Sequence, residues 1–99
     1  MDLSNKAETK ALLEEKAEMF KSIAHPVRLC ILTMLIKEKQ SNVSDIQYCL
    51  DVPQPTVSQH LSKLKSAGIL SAERNGTEII YKIINEEVKN IINQILDIK

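Results

Sequence analysis

The chain has 99 residues, room for one domain, and its 13 Lys+Arg balance 13 Asp+Glu to a formal net charge of zero. At 43% hydrophobic and 26% charged, the composition is that of a folded globular chain with one modest core, which excludes wholesale disorder. Aromatic content of 3% with no Trp excludes a stacking platform for single-stranded nucleic acid, and neutrality excludes a domain that is basic all over, though not a local basic face.

Met1 to Lys10 has no apolar stretch of signal-peptide length, and the chain has no run of 18 apolar residues, so neither secretion nor membrane spanning is expected. Cys30 and Cys49 are too few and too far apart for a disulfide scaffold, and a reduced, cytoplasmic setting is expected. Two glycines and three prolines are few breakers for this length and predict mostly helix.

In chain order, Ala7 to Ile23 is rich in helix formers and carries Ala11, Leu12, Met19 and Ile23 at a loose helical period, which predicts a first helix. Ala24-His25-Pro26 breaks it, with His25 in a capping or packing role and Pro26 in the first turn of a second helix reaching Lys37. Val27, Leu29, Cys30, Ile31, Leu32, Met34, Leu35 and Ile36 make this helix apolar around most of its circumference. It is expected to be the central, buried one, with Cys30 as a small core hydrophobe.

Ser41-Asn42 caps a short third helix whose inner face is Val43, Ile46, Cys49 and Leu50. Asp51-Val52-Pro53 makes a turn. A fourth helix follows from Gln54 to about Ala67, with Pro55 in its first turn and Gly68 at its stop. Ile69–Glu73 and Thr77–Ile83 then alternate as strands about Asn75-Gly76, a dipeptide suited to a type I′ hairpin turn. Asn85 caps a last helix with Val88, Ile91, Ile92, Ile95 and Ile98 at helical spacing. The expected fold is mainly α with a β-hairpin, in the order α-α-α-α-β-β-α.

A short helix, a three-residue turn and a second helix with a polar outer face form the helix-turn-helix pattern, and the hairpin after it is the wing of a winged helix. An α-helix fits the major groove of duplex DNA, and short polar side chains let its backbone approach the base edges. In the fourth helix Val57, Leu61 and Leu64 form a buried stripe, while Gln54, Thr56, Ser58, Gln59, Ser62 and Lys63 are left to contact DNA. Gln59 points furthest from the stripe. Lys63 and Arg74 suit phosphate, and Arg74 on the hairpin also suits a minor groove. Between Gln54 and Lys82 four basic residues face two acidic ones, a small excess of the right sign.

Three segments, in this order, resemble the ArsR/SmtB transcriptional repressors: Ile23-Ala24-His25-Pro26-Val27-Arg28-Leu29, Pro53-Gln54-Pro55-Thr56-Val57-Ser58-Gln59-His60-Leu61 and Leu64-Lys65-Ser66-Ala67-Gly68-Ile69-Leu70. The resemblance implies one winged helix-turn-helix domain over 1–99, with the helix-turn-helix at about 43–67 and the wing at about 69–83. It implies a homodimer joined by helices at about 7–23 and 85–98, with Leu12, Val88, Ile91, Ile92 and Ile95 at the interface. The fourth helix would then read an inverted-repeat operator in double-stranded DNA, with an effector that lowers affinity. Where the family places sensor thiolates, this chain has Asn42 and Ser44. Thr33 stands where dithiol sensors carry a cysteine, and the last helix has neither His nor Cys. No metal site and no cofactor is therefore expected. Members without metal sites are the nearer comparison, since their wings share the Gly-x-Glu-Ile-x-Tyr pattern of Gly76 to Tyr81.

Other residues carry weaker expectations. Cys49 is expected to be structural, with a lone reactive thiol as the alternative, and His60 flanks the buried stripe, free to pack or to reach phosphate. No phosphate loop and no paired His and carboxylate at helical spacing points to catalysis. A winged helix that docks a protein partner instead of DNA is the competing reading.

Overall fold

The computed structural model describes residues 3–96. The elements are α1 (Lys6–Ile23), α2 (Pro26–Glu38), β1 (Ser41–Asn42), α3 (Val43–Leu50), α4 (Gln54–Ser66), β2 (Leu70–Asn75), β3 (Glu78–Ile83) and α5 (Glu86–Leu96). Local chemistry sets most boundaries. The side chains of Asn5, Asn42 and Asn85 accept from the backbone N–H groups of Glu8, Asp45 and Val88 at 3.0, 2.8 and 3.0 Å, capping α1, α3 and α5. His25 caps α2 through Nδ1, which accepts from Val27 N–H at 3.1 Å, with Pro26 in the first turn. Gly68, at φ +76°, ends α4, and Ile69 N–H reaches back to the Leu64 carbonyl at 3.0 Å.

Twelve apolar side chains, each no more than 4% exposed, make one core. Ile31, Leu32 and Leu35 place α2 at its centre. Ile46 comes from α3, Val57, Leu61 and Leu64 from α4, Ile69 and Leu70 from the strand entry, and Val88 and Ile92 from α5. Helix α1 contributes Ile23 and packs the partly buried Met19 against the core. The Cα radius of gyration, 15.0 Å, exceeds the roughly 13 Å of a compact chain this long.

The structure departs from the sequence expectations at four places. A two-residue strand, β1, pairs antiparallel with β3 (Ser41 with Tyr81, Asn42 with Ile80), making a three-stranded sheet in the order β1-β3-β2. The hairpin turn is Gly76-Thr77, because Asn75 already pairs with Glu78. Gly76 has φ +68° and Thr77 does not share a positive φ, so the turn follows the type II′ rule and not type I′. Cys30 is exposed and is not a core residue: the core lies against Ile31, Leu32 and Leu35, on a different side of α2.

The fourth departure concerns α5. Val88 and Ile92 are fully buried within the protomer and have no surface left for a second chain. The apolar stripe of α5 runs past the end of the core, so the same row that buries Ile92 leaves Ile95 62% and Leu96 45% exposed. Ile91 and, on α1, Leu12 are half-buried. Ile98 lies beyond the described residues, and the side chain of Cys49 lies outside that description.

Candidate nucleic-acid interface

Helix α3 ends at Asp51 in the left-handed region (φ 55°, ψ 44°), a conformation that Asp tolerates better than most residues. The chain turns through Val52 and Pro53 and enters α4 with no side-chain cap. Pro55 carries no N–H, and the Thr56 and Val57 N–H groups donate to the Pro53 carbonyl at 3.0 and 3.2 Å, so the first turn closes on its own backbone. Val57, Leu61 and Leu64, all 0% exposed, hold α4 against the core. Gln54, Ser58, Gln59, Ser62 and Lys63 are exposed and Thr56 is half-buried. At about 100° per residue, Gln59 points directly away from the buried stripe and Ser62 lies about 50° to one side of that direction.

The two flanks of α4 have different neighbours. Gln54 and Ser58 line a cleft of about 350 Å³ together with Asn42, Val43 and Ser44 at the start of α3 and Thr77, Glu78, Ile79 and Tyr81 of the hairpin. Thr56 and His60 lie on the other flank. There His60 is half-buried, and its Nδ1 accepts from Arg28 Nε–H at 3.1 Å. That contact ties up one ring nitrogen of a residue the sequence leaves free to reach phosphate. The strand register puts Arg74 opposite Ile79, on the sheet face shared with Leu70, Ala72, Tyr81 and Ile83, with its side chain exposed near the hairpin tip. The structure therefore brings Gln54, Ser58, Gln59, Ser62 and Lys63 onto one open helix surface, with Arg74 on a separate projection.

Asn42, which stands where the sequence resemblance would place a sensor thiolate, is differently employed here. Asn42 Oδ1 caps α3, while Asn42 Nδ2 donates to Glu78 Oε1 at 3.1 Å, joining that helix to the hairpin. A carboxamide engaged this way is no ligand for a soft metal, and no group of three or more His, Cys, Asp or Glu among the described residues could hold a metal ion. Outside the helix-turn-helix, Leu13, Phe20, Ile95 and Leu96 are exposed large hydrophobics. Leu13, Ala17 and Phe20 are spaced i, i+4 and i+7 on α1. That spacing is legible in the sequence but lies one position off the Leu12–Met19–Ile23 row.

A family model described as "Bacterial regulatory protein, arsR family" matches residues 25–72, the span from the start of α2 into β2. The chain is 48% identical over 80 residues to the transcriptional repressor PagR of Bacillus anthracis, covering 81% of this chain and 80% of that one. The chain belongs to the ArsR family. It is a DNA-binding transcriptional regulator with a winged helix-turn-helix fold. The crystal structure of PagR superposes with a TM-score of 0.79 at 44% identity, covering 87% of this chain and 98% of that one. The HTH-type transcriptional repressor SmtB of Mycobacterium tuberculosis is 38% identical over 81 residues, 82% of this chain but 59% of that longer one. The homodimeric winged helix-turn-helix DNA-binding domain of a possible ArsR-family regulator from Mycobacterium bovis gives a TM-score of 0.80 at 29% identity, over 96% of this chain and 87% of that one. No single helix among the described residues is long and apolar enough to cross a membrane.

Proposed function

We propose that the protein is a cytoplasmic, homodimeric repressor in which residues 1–99 act as one winged-helix unit on an inverted-repeat operator. Helix α4 enters the major groove, Gln59 and Ser62 meet base edges, Gln54 and Ser58 meet bases or the adjoining backbone, and Lys63 and Arg74 meet phosphate. The observation that carries this reading is the division of α4. Its Val57–Leu61–Leu64 row is completely buried, and its opposite surface is open, uncharged and hydrogen-bonding up to Lys63. A face that merely solvates a helix is usually laced with charges of both signs; short hydroxyls and carboxamides are the groups that pair with base edges. Dimerisation through α1 and α5 is supported by the exposed Leu13, Phe20, Ile95 and Leu96 and by the homodimeric neighbour from M. bovis.

The test is a titration of the protein against duplex from its own upstream promoter and against a scrambled duplex, each at two salt concentrations. Preference for the promoter, with affinity falling steeply as salt rises, is the expected result, because each neutralised phosphate releases counterions. Equal, weak binding to both duplexes would favour the protein-docking alternative.

A further inference from the structure

Two histidines are all this chain has, and the fold stacks one on the other: the ring centroids of His25 and His60 are 4.3 Å apart, with planes inclined by 40°. Both are half-buried, and both use Nδ1 as an acceptor, His25 from Val27 N–H and His60 from Arg28 Nε–H, each at 3.1 Å. Arg28 also donates through Nη1 to the Ser22 carbonyl at 2.9 Å, in the last turn of α1. One guanidinium thus ties the end of α1 and the first turn of α2 to the middle of α4, at the residue next to Gln59.

An imidazole that accepts at Nδ1 is neutral and carries its proton on Nε2. A second proton, placed on Nδ1, turns the acceptor into a donor that faces another donor: a guanidinium N–H for His60, a backbone N–H for His25. We propose that Arg28, His60 and His25 form a proton-operated clamp on α4, closed at neutral pH and opened by mild acid, with operator affinity falling as it opens. The proposal rests on the reading of α4 as the helix that contacts DNA.

The surroundings favour the closed, neutral state. His60 is faced by His25 at the N-cap of α2, by Arg28 of α2 and by Lys63 of its own helix, and the Ser22 carbonyl of α1 accepts from Arg28. Burial first, and then these three basic groups, hold the His60 imidazole below its ordinary value. A lowered histidine pKa means that the unfolded chain takes up the proton first. The clamp's contribution to stability is complete above the ordinary imidazole range, near 6.5, and is lost as pH falls from there toward the lower value of the folded protein. Val57, Leu61 and Leu64 still hold α4 in the core, so opening frees the outer flank of the helix without releasing the helix itself. His25 and His60 are the only side chains in the sequence whose ordinary titration range falls between about pH 5 and 8.

The experiment measures operator affinity from about pH 7.5 to about pH 5.5 for the unmodified protein, His60→Asn and His25→Asn, with thermal melts of each without DNA. The Asn carboxamide oxygen sits close to where Nδ1 sits, accepts the same hydrogen bond and does not titrate. The unmodified protein is expected to lose about tenfold in affinity over this range, and His60→Asn less than about twofold. Parallel profiles for the two proteins would overturn the clamp, as would affinity that rises in acid only when His60 is present, the mark of an imidazolium meeting phosphate. Ring nitrogen shifts of the unmodified protein provide a readout that needs neither DNA nor a variant. They should show both histidines as the Nε2–H tautomer near pH 7.5, and an Nδ1–H tautomer at His60 would also overturn the clamp. Absence of operator binding at every pH, with the tautomers and melts as expected, would instead count against the DNA reading.

Discussion

The division of α5 into a buried and an uncovered half predicts opposite consequences for two isoleucines three residues apart. Ile92 is 0% exposed in the protomer and Ile95 is 62% exposed. Covering an Ile side chain completely is worth about 1.5–3 kcal/mol, so covering what remains of Ile95 in a dimer is worth about 1–2 kcal/mol, and a two-fold interface counts it twice. Ile95→Glu forfeits that sum and sets a carboxylate in its place. Losing about 2–4 kcal/mol should weaken dimerisation by about 30- to 1,000-fold, with little change in the stability of the protomer. Ile92→Ala should do the reverse. It opens a cavity in the core at a cost of about 2–5 kcal/mol of folding stability, with no direct loss at the interface. Sedimentation equilibrium across micromolar concentrations, paired with urea unfolding, separates the two effects. The reasoning is refuted if Ile95→Glu sediments as the same dimer as the unmodified protein. It also fails if Ile92→Ala dissociates the dimer at undiminished stability, since α5 would then present a different face to the core.

Gln59→Ala is expected to cost about 1–3 kcal/mol on the operator and much less on scrambled duplex, because a base-edge contact is lost. Arg74→Ala should weaken both duplexes by similar factors and flatten the salt dependence by roughly one phosphate per protomer; titrations against the two duplexes at several salt concentrations check both. Asn42→Ala removes the α3 cap and its hydrogen bond to Glu78 together, and should lower stability by about 1 kcal/mol or slightly more in urea unfolding. Lys39 ends α2 at φ 70° and ψ −38°, where a side chain is strained, so Lys39→Gly should raise the melting temperature by an amount equivalent to about 1 kcal/mol. Stoichiometric Zn(II), Cd(II) or As(III) should leave operator affinity within about twofold in the same titrations, since neither Asn42 nor Ser44 supplies a thiolate.

Much of this protein is written in interactions that close within one or two turns of chain. Asn5, Asn42, Asn85 and His25 cap helices they immediately precede, Gly68 stops the helix it follows, and the Val57–Leu61–Leu64 row marks which way α4 faces. Caps and periodicity are local, so five helices, a hairpin and the polar outer face of α4 are legible without coordinates. The sequence does not say which of several equivalent apolar rows finds a neighbour. On α2 and α5 the hydrophobic positions look alike in sequence, yet Ile31 and Ile92 are buried while Cys30 and Ile95 are not, because burial depends on what the rest of the chain places opposite. The strand at Ser41–Asn42 is too short for any periodicity and exists only because β3 runs beside it. The same holds for His25 and His60, 35 positions apart in the sequence. Each has a local role, and only the packing of α2 on α4 brings the two imidazoles and the Arg28 guanidinium into one hydrogen-bonded cluster.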